Sequence, residues 1–164
     1  MSNDLAKKIR IMTDLIMPHN KWYRDNAIYV LKNIDDFNIP KLVEKTIAKL
    51  GNHKVVDGHG FDLSDGSEIK TTSIVKNRLE ISSVVSTTGA LKKGALRVVV
   101  YNSATDSIEY YFLPKTFWST LKRSKNVQNR ERIFVSYSYE NDVFSSISDY
   151  EVDSAQELAT AINC

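Results

Sequence analysis

The apolar spacing of this chain changes period near Gly51, and that change limits the fold more than any composition value does. Residues 4–17 place Leu5, Ile9, Met12, Leu15 and Ile16 on one helical stripe, which Pro18-His19-Asn20 ends. Residues 22–34 repeat the spacing with Tyr23, Ala27, Val30, Leu31 and Ile34. Pro40 suits the first turn of a third helix, with Leu42, Val43, Ile47 and Leu50 inward and Gly51 as its stop. After Gly51 the chain takes up a strand-like period of two. Residues 54–57, 61–63 and 67–74 read as strands, and 79–85 as a less regular one. Residues 96–102 and 108–113 form a strand pair joined through Ser103-Ala104-Thr105-Asp106. Pro114 opens a helix through Phe117, Trp118 and Leu121; residues 132–139 make another strand; Asp153-Ser154 caps a last helix. Helices first, then a mostly antiparallel or mixed sheet with flanking helices, predicts an α+β (mixed α/β) fold.

A chain of 164 residues is expected to form one domain, with residues 1–50 as its helical part and 51–164 as sheet and flanking helices. The lone cysteine, Cys164, excludes an internal disulfide and a Cys-rich zinc site, which fits a reducing cytoplasm. No apolar stretch approaches the roughly 20 residues of a membrane span, and residues 1–4 do not start a secretory signal. The net charge of +2 announces no global basic field. Cations are nevertheless clustered: Lys115, Lys122, Arg123, Lys125, Arg130 and Arg132 in one group, Lys92, Lys93 and Arg97 in another. Local clusters of this kind suit phosphate backbones, or are simply solvated.

Residues 61–72 concentrate the chemistry. Asp65-Gly66 is a two-residue turn signal of type I′, since that turn needs φ > 0 at both central residues. With that turn Ser64 faces Ser67, Leu63 faces Glu68 and Asp62 faces Ile69. Glu68 and Lys70, two apart, project to one face, with Asp62 diagonally across. The tip is expected to face solvent. Two carboxylates sharing a cation, with a lysine beside them, suit a hard ion such as Mg²⁺ and attack of water on a phosphodiester. Glu68 is the only acidic residue of the chain with Lys two positions later. An exposed hairpin of alternating charge is the bland alternative.

These residues resemble the core motif of the PD-(D/E)xK nuclease superfamily, in which an Asp ends one strand and a Glu-x-Lys sits on the next. The match falls on Asp62, Glu68 and Lys70, with Gly60-Phe61-Asp62 leading in. The short spacing is most similar to the MutH/Sau3AI branch, and the element order to small PvuII-like enzymes. No proline precedes Asp62, and Asp57 stays open as an alternative first carboxylate. The resemblance implies a restriction-endonuclease-like fold and a cytoplasmic, Mg²⁺-dependent endodeoxyribonuclease, with Mn²⁺ as substitute, cutting double-stranded DNA as a homodimer. Asp62, Glu68 and Lys70 would be catalytic, Asp62 and Glu68 metal ligands, and Glu44 on the preceding helix a third carboxylate. The alternatives are a nicking, junction-resolving, repair or mobile-element nuclease and, in another class, a non-catalytic binding or assembly module.

DNA contacts are expected from Thr71, Thr72, Lys92, Lys93, Arg97, Lys122, Arg123, Lys125 and Arg130, with base reading from residues 82–89. The threonines are equally explained by β-propensity, and Glu44 by an exposed helical face. His53 and His59 flank Asp57 without a zinc-ligand spacing. Trp22, Tyr23 and Trp118 are expected in the core.

Overall fold

A computed structural model describes residues 3–56, 62–75, 78–82, 94–121, 123–125, 131–138, 143–144 and 146–162. The first helix, α1 (Asn3–Ile11), does not run straight to Pro18. It widens into a π turn at Met12–Ile16 and tightens into a 3₁₀ turn at Met17–His19. Ile11, Met12, Leu15 and Ile16 are all fully buried through this change of pitch. The second expected helix is two, α2 (Lys21–Asp25) and α3 (Ala27–Lys32), broken at Asn26. There the Asn26 side chain donates to the Trp22 carbonyl at 2.8 Å, competing with the backbone ladder. Trp22 is 52% exposed, so the expectation of a core tryptophan fails at this position.

The third helix, α4 (Ile39–Leu50), follows its sequence signals. Asn38 caps it by accepting from the Lys41 N–H at 3.2 Å, Pro40 sits in the first turn, and Val43 and Ile47 are fully buried.

The strands are β1 (Glu68–Val75), β2 (Arg78–Ser82), β3 (Leu96–Asn102), β4 (Ser107–Leu113), β5 (Arg123–Lys125), β6 (Glu131–Ser138), β7 (Val143–Phe144) and β8 (Glu151–Val152). Two short helices, α5 (Lys115–Trp118) and α6 (Ala155–Thr160), and 3₁₀ turns at Ile34–Asp36 and Ser148–Tyr150 complete the described elements. The strands form one mixed sheet in the order β5-β6-β2-β1-β3-β4-β8, with β7 on β6. Among the described pairs only β1 with β3 is parallel, in the register Glu68↔Leu96, Ile69↔Arg97 and Lys70↔Val98. The protein is thus a mixed α+β fold with helices flanking its sheet.

Every residue of β3 is buried, as its continuous apolar run demands. Alternation divides it between two clusters. Val99 packs with residues of α1, α4 and α6, whereas Leu96, Val98 and Val100 pack with Ile74, Leu79, Trp118 and Ile147. Each such aliphatic side chain contributes about 1.5–3 kcal/mol by leaving water. An aspartate at Val98 would put a charge into the second cluster without a partner.

Candidate active site

The segment before β1 is anchored by its apolar residue. Leu63, fully buried, forms a bridge with Val55, and the Val56 N–H donates to the Asp62 carbonyl at 2.8 Å. The Ser64 N–H donates to the Lys54 carbonyl at 2.9 Å, and the Lys54 N–H to Ser64 Oγ at 3.1 Å. Asp62 therefore stands on backbone held by residues 54–56, the segment that follows α4.

The turn that follows is not the two-residue type I′ turn. The Gly66 N–H donates to the Leu63 carbonyl at 2.9 Å, and the Leu63 N–H to the Ser67 carbonyl at 3.1 Å. This is a three-residue loop with its left-handed residue at Gly66, φ +86°, while Asp65 keeps a negative φ. Leu63 consequently faces Ser67, one residue earlier than expected. The cause is local: Asp65 Oδ1 accepts from the Ser67 N–H at 2.9 Å and from its hydroxyl at 2.5 Å, closing an Asx turn.

The slip still brings Asp62 to the Glu-x-Lys strand. Asp62 Oδ2 accepts from the N–H of Ile69, the residue between Glu68 and Lys70, at 2.7 Å. Its Oδ1 has no hydrogen-bond partner among the described residues. Glu68 enters β1 with its N–H donating to the Ala95 carbonyl at 2.9 Å. Its neighbour in register is Leu96, and that of Lys70 is Val98, so the pair stands on the face that Leu96 and Val98 make apolar. Glu68 is only 3% exposed, and Lys70 Nζ lies 3.5 Å from its Oε2. The expected solvent-facing tip is thus corrected at its end: Ser67 and Glu68 are both buried. An acidic group removed from water needs a partner, and Lys70, with its side chain 18% exposed, is one.

The remaining expected residues divide. Thr72 shares the face of Glu68 and Lys70 by alternation, its hydroxyl donating to the Glu80 carbonyl at 2.9 Å; Thr71 points to the opposite face. Glu44 lies on α4 with Lys41 Nζ at 3.5 Å. Among the described residues no three His, Cys, Asp or Glu side chains gather closely enough to hold one ion, so Glu44, Asp62 and Glu68 do not converge as a triad. His53 Nε2 meets the Ala159 carbonyl at 3.0 Å, a packing contact between the ends of α4 and α6.

Arg97 overturns its expectation as a DNA-contacting cation. It is fully buried, on the face opposite Lys70, because its Cα partner is Ile69. Its Nε donates to Ser67 Oγ at 3.1 Å, Nη2 to Asp65 Oδ2 at 2.8 Å, and Nη1 to the Leu158 carbonyl at 2.5 Å. Burial works to raise the Asp65 carboxyl, but the Ser67 hydroxyl and amide and the Arg97 guanidinium outweigh it and hold the group below its ordinary range. The signal for this role was a single charge inside the apolar run 96–101, where a cation is buried only when paired. Asp57, His59, Gly60, Phe61, Lys92, Lys93, Lys122, Arg130 and residues 83–89 lie outside the described residues. Arg123 and Lys125 are placed by backbone on β5.

No helix among the described residues is long and apolar enough to cross a membrane. No protein-family profile matches the sequence, and no curated protein is significantly similar to it.

Proposed function

We propose that the protein is a Mg²⁺-dependent endodeoxyribonuclease of restriction type, acting on double-stranded DNA. One observation carries the reading. Asp62 is hydrogen-bonded to the backbone between Glu68 and Lys70, which joins the first carboxylate to the head of a central Glu-x-Lys strand. That contact supports the PD-(D/E)xK reading of these three residues by tying the Asp62 side chain to the Glu-x-Lys strand.

The donor set fits a hard divalent cation. Asp62 Oδ1 is unengaged among the described residues, and Glu68 offers a second carboxylate; Mg²⁺ commonly takes one or two carboxylates and completes its shell with water and phosphate oxygen. When bound, the ion would supply charge stabilisation at the phosphate and a more acidic water. The protein does the positioning. The Ile69 N–H fixes the Asp62 carboxylate. The apolar neighbours Leu96 and Val98 keep water from Glu68 and strengthen electrostatics there. Lys70 orients the attacking water and offsets charge developing on the phosphoryl oxygens. Water gives up a proton to solvent as its oxygen bonds to phosphorus, the bond from phosphorus to the leaving oxygen breaks, and that oxygen takes up a proton from solvent. Two copies would cut two antiparallel strands symmetrically, since each carries one such site.

The test is incubation of the purified protein with assorted duplex DNAs and Mg²⁺ or Mn²⁺, alongside Asp62→Ala, Glu68→Gln and Lys70→Ala. Wild-type cleavage lost in all three, with folding retained and DNA binding kept in Lys70→Ala, supports the reading. Full activity in Asp62→Ala with a dead Asp57→Ala moves the first carboxylate to Asp57. The Glu68–Lys70 contact itself favours one other reading, a non-catalytic module in which the two form a structural ion pair. That reading expects no metal binding and no cleavage of any DNA.

A further inference from the structure

We propose that Arg97 is the positioning residue of this site, clamping the hairpin tip to the end of α6 and thereby setting where Glu68 and Asp62 stand. The proposal rests on the nuclease reading for its catalytic consequence and on geometry for the clamp. Arg97 reaches three elements at once. Two of its nitrogens engage Ser67 and Asp65, and the third engages the carbonyls of Leu158 and Ala159 at 2.5 and 3.4 Å. Those carbonyls belong to the last turn of α6, where intrahelical partners run out and the helix dipole favours a cation. The Phe112 ring lies 4.9 Å from the guanidinium carbon and closes one face.

The clamp bears on the site from two sides. Ser67, which Arg97 Nε holds, directly precedes Glu68. Ile69, the Cα partner of Arg97 across β1 and β3, supplies the N–H that fixes Asp62. Mere stability does not demand this arrangement, because buried ion pairs are often replaced by apolar groups without loss. A lysine is no substitute, since one ammonium cannot span a fork, a hydroxyl and two carbonyls in fixed directions. What the guanidinium adds is direction: it fixes the tip in the one register that places Asp62 beside the Glu-x-Lys strand.

The experiment uses the full chain with Asp65→Asn, whose site is partly exposed and tolerant, and Arg97→Lys. Three quantities are measured: Mn²⁺ affinity by calorimetry, the single-turnover cleavage rate set against KM, and hydrogen exchange of the Ile69 amide. The expected result is a loss of roughly 10–100-fold in metal affinity and rate, as for other supports of metal ligands, with KM for DNA unchanged and faster Ile69 exchange. Val30→Ala, buried on α3 away from both the clamp and the Glu68–Lys70 face, serves as a destabilised control and should leave affinity and rate intact. Wild-type affinity and rate in both test variants overturn the proposal, as does an equal loss in the control. If wild-type protein neither binds Mn²⁺ nor cuts DNA, the nuclease reading falls. Ile69 exchange then still decides the clamp: faster exchange in Asp65→Asn upholds it and unchanged protection removes it.

Discussion

At the scale of single residues, Asp65 and two glycines have consequences that can be measured. The Asp65 carboxyl is held below its ordinary range in the folded protein, against burial, by Ser67 and Arg97. The unfolded chain takes up that proton near pH ~3.9, the folded protein only at lower pH. The stabilisation is therefore complete above the unfolded value and lost as pH falls through the folded one. Calorimetric melting of wild type and Asp65→Asn should show a gap that is widest above about pH 4 and closes in stronger acid; curves that run parallel through this range would contradict the assignment. The glycines differ in kind. A Cβ on Gly94 would sit 2.0 Å from the Gly66 carbonyl oxygen and 2.7 Å from the Ser67 nitrogen, so backbone must move. A Cβ on Gly66 meets nothing within 4 Å, and only its positive φ resists. Gly66→Ala should cost about 1–2 kcal/mol. Gly94→Ala should cost more by denaturant titration and should also disturb the tip. Of these features the Glu-x-Lys pair was legible in sequence, because spacing by two guarantees a shared face. The Arg97 clamp was not, since its partners lie 30, 32 and 61 positions away.

Elements were legible where their ends carried local chemistry. Helix α4 has Pro40 in its first turn and stops at Gly51, both as expected, whereas its cap, Asn38, was not read from the sequence. Asn38→Ala should lower stability by about 1 kcal/mol and Asn38→Asp by little, measured by urea titration. An unchanged midpoint in Asn38→Ala would show the cap to be idle. The strand pair β3–β4 was read correctly from its apolar run and four-residue loop. Residues 54–56 and 62–63 make only a bridge rather than the expected strands, and two further elements were misread for physical reasons. The apolar spacing of residues 22–34 suits one continuous helix, but Asn26 donates to a backbone carbonyl and interrupts it, leaving Trp22, Ile28 and Tyr29 exposed. The Asp-Gly turn was assigned by dipeptide alone. Its real geometry depends on Ser67, one position beyond the dipeptide, which gives Asp65 a local donor and lengthens the loop.

On the scale of the whole molecule, one sheet separates two apolar clusters and shares its strands between them. Because β1, β3 and β4 contribute to both, neither cluster can dissolve while the other keeps its strands. In a Trp22→Phe background, fluorescence of the buried Trp118 reports one cluster and helical circular dichroism the other. Their urea transitions should coincide; two separated midpoints would mean that the halves melt independently. The α+β class was readable from the change of period at Gly51, whereas the strand order was not. Placing β3 on the far side of β1 from β2, parallel to it, is a matter of which face the intervening chain crosses, and no local residue encodes that. The same order leaves β5 and β8 at the ends of the sheet, three and two residues long. Strand ends so short offer few free N–H and C=O groups to a passing chain. The long, apolar β3, the most self-adhesive segment described, has a neighbour on each side. Among the described strands, then, β3 would be offered to another chain only after its two neighbours part.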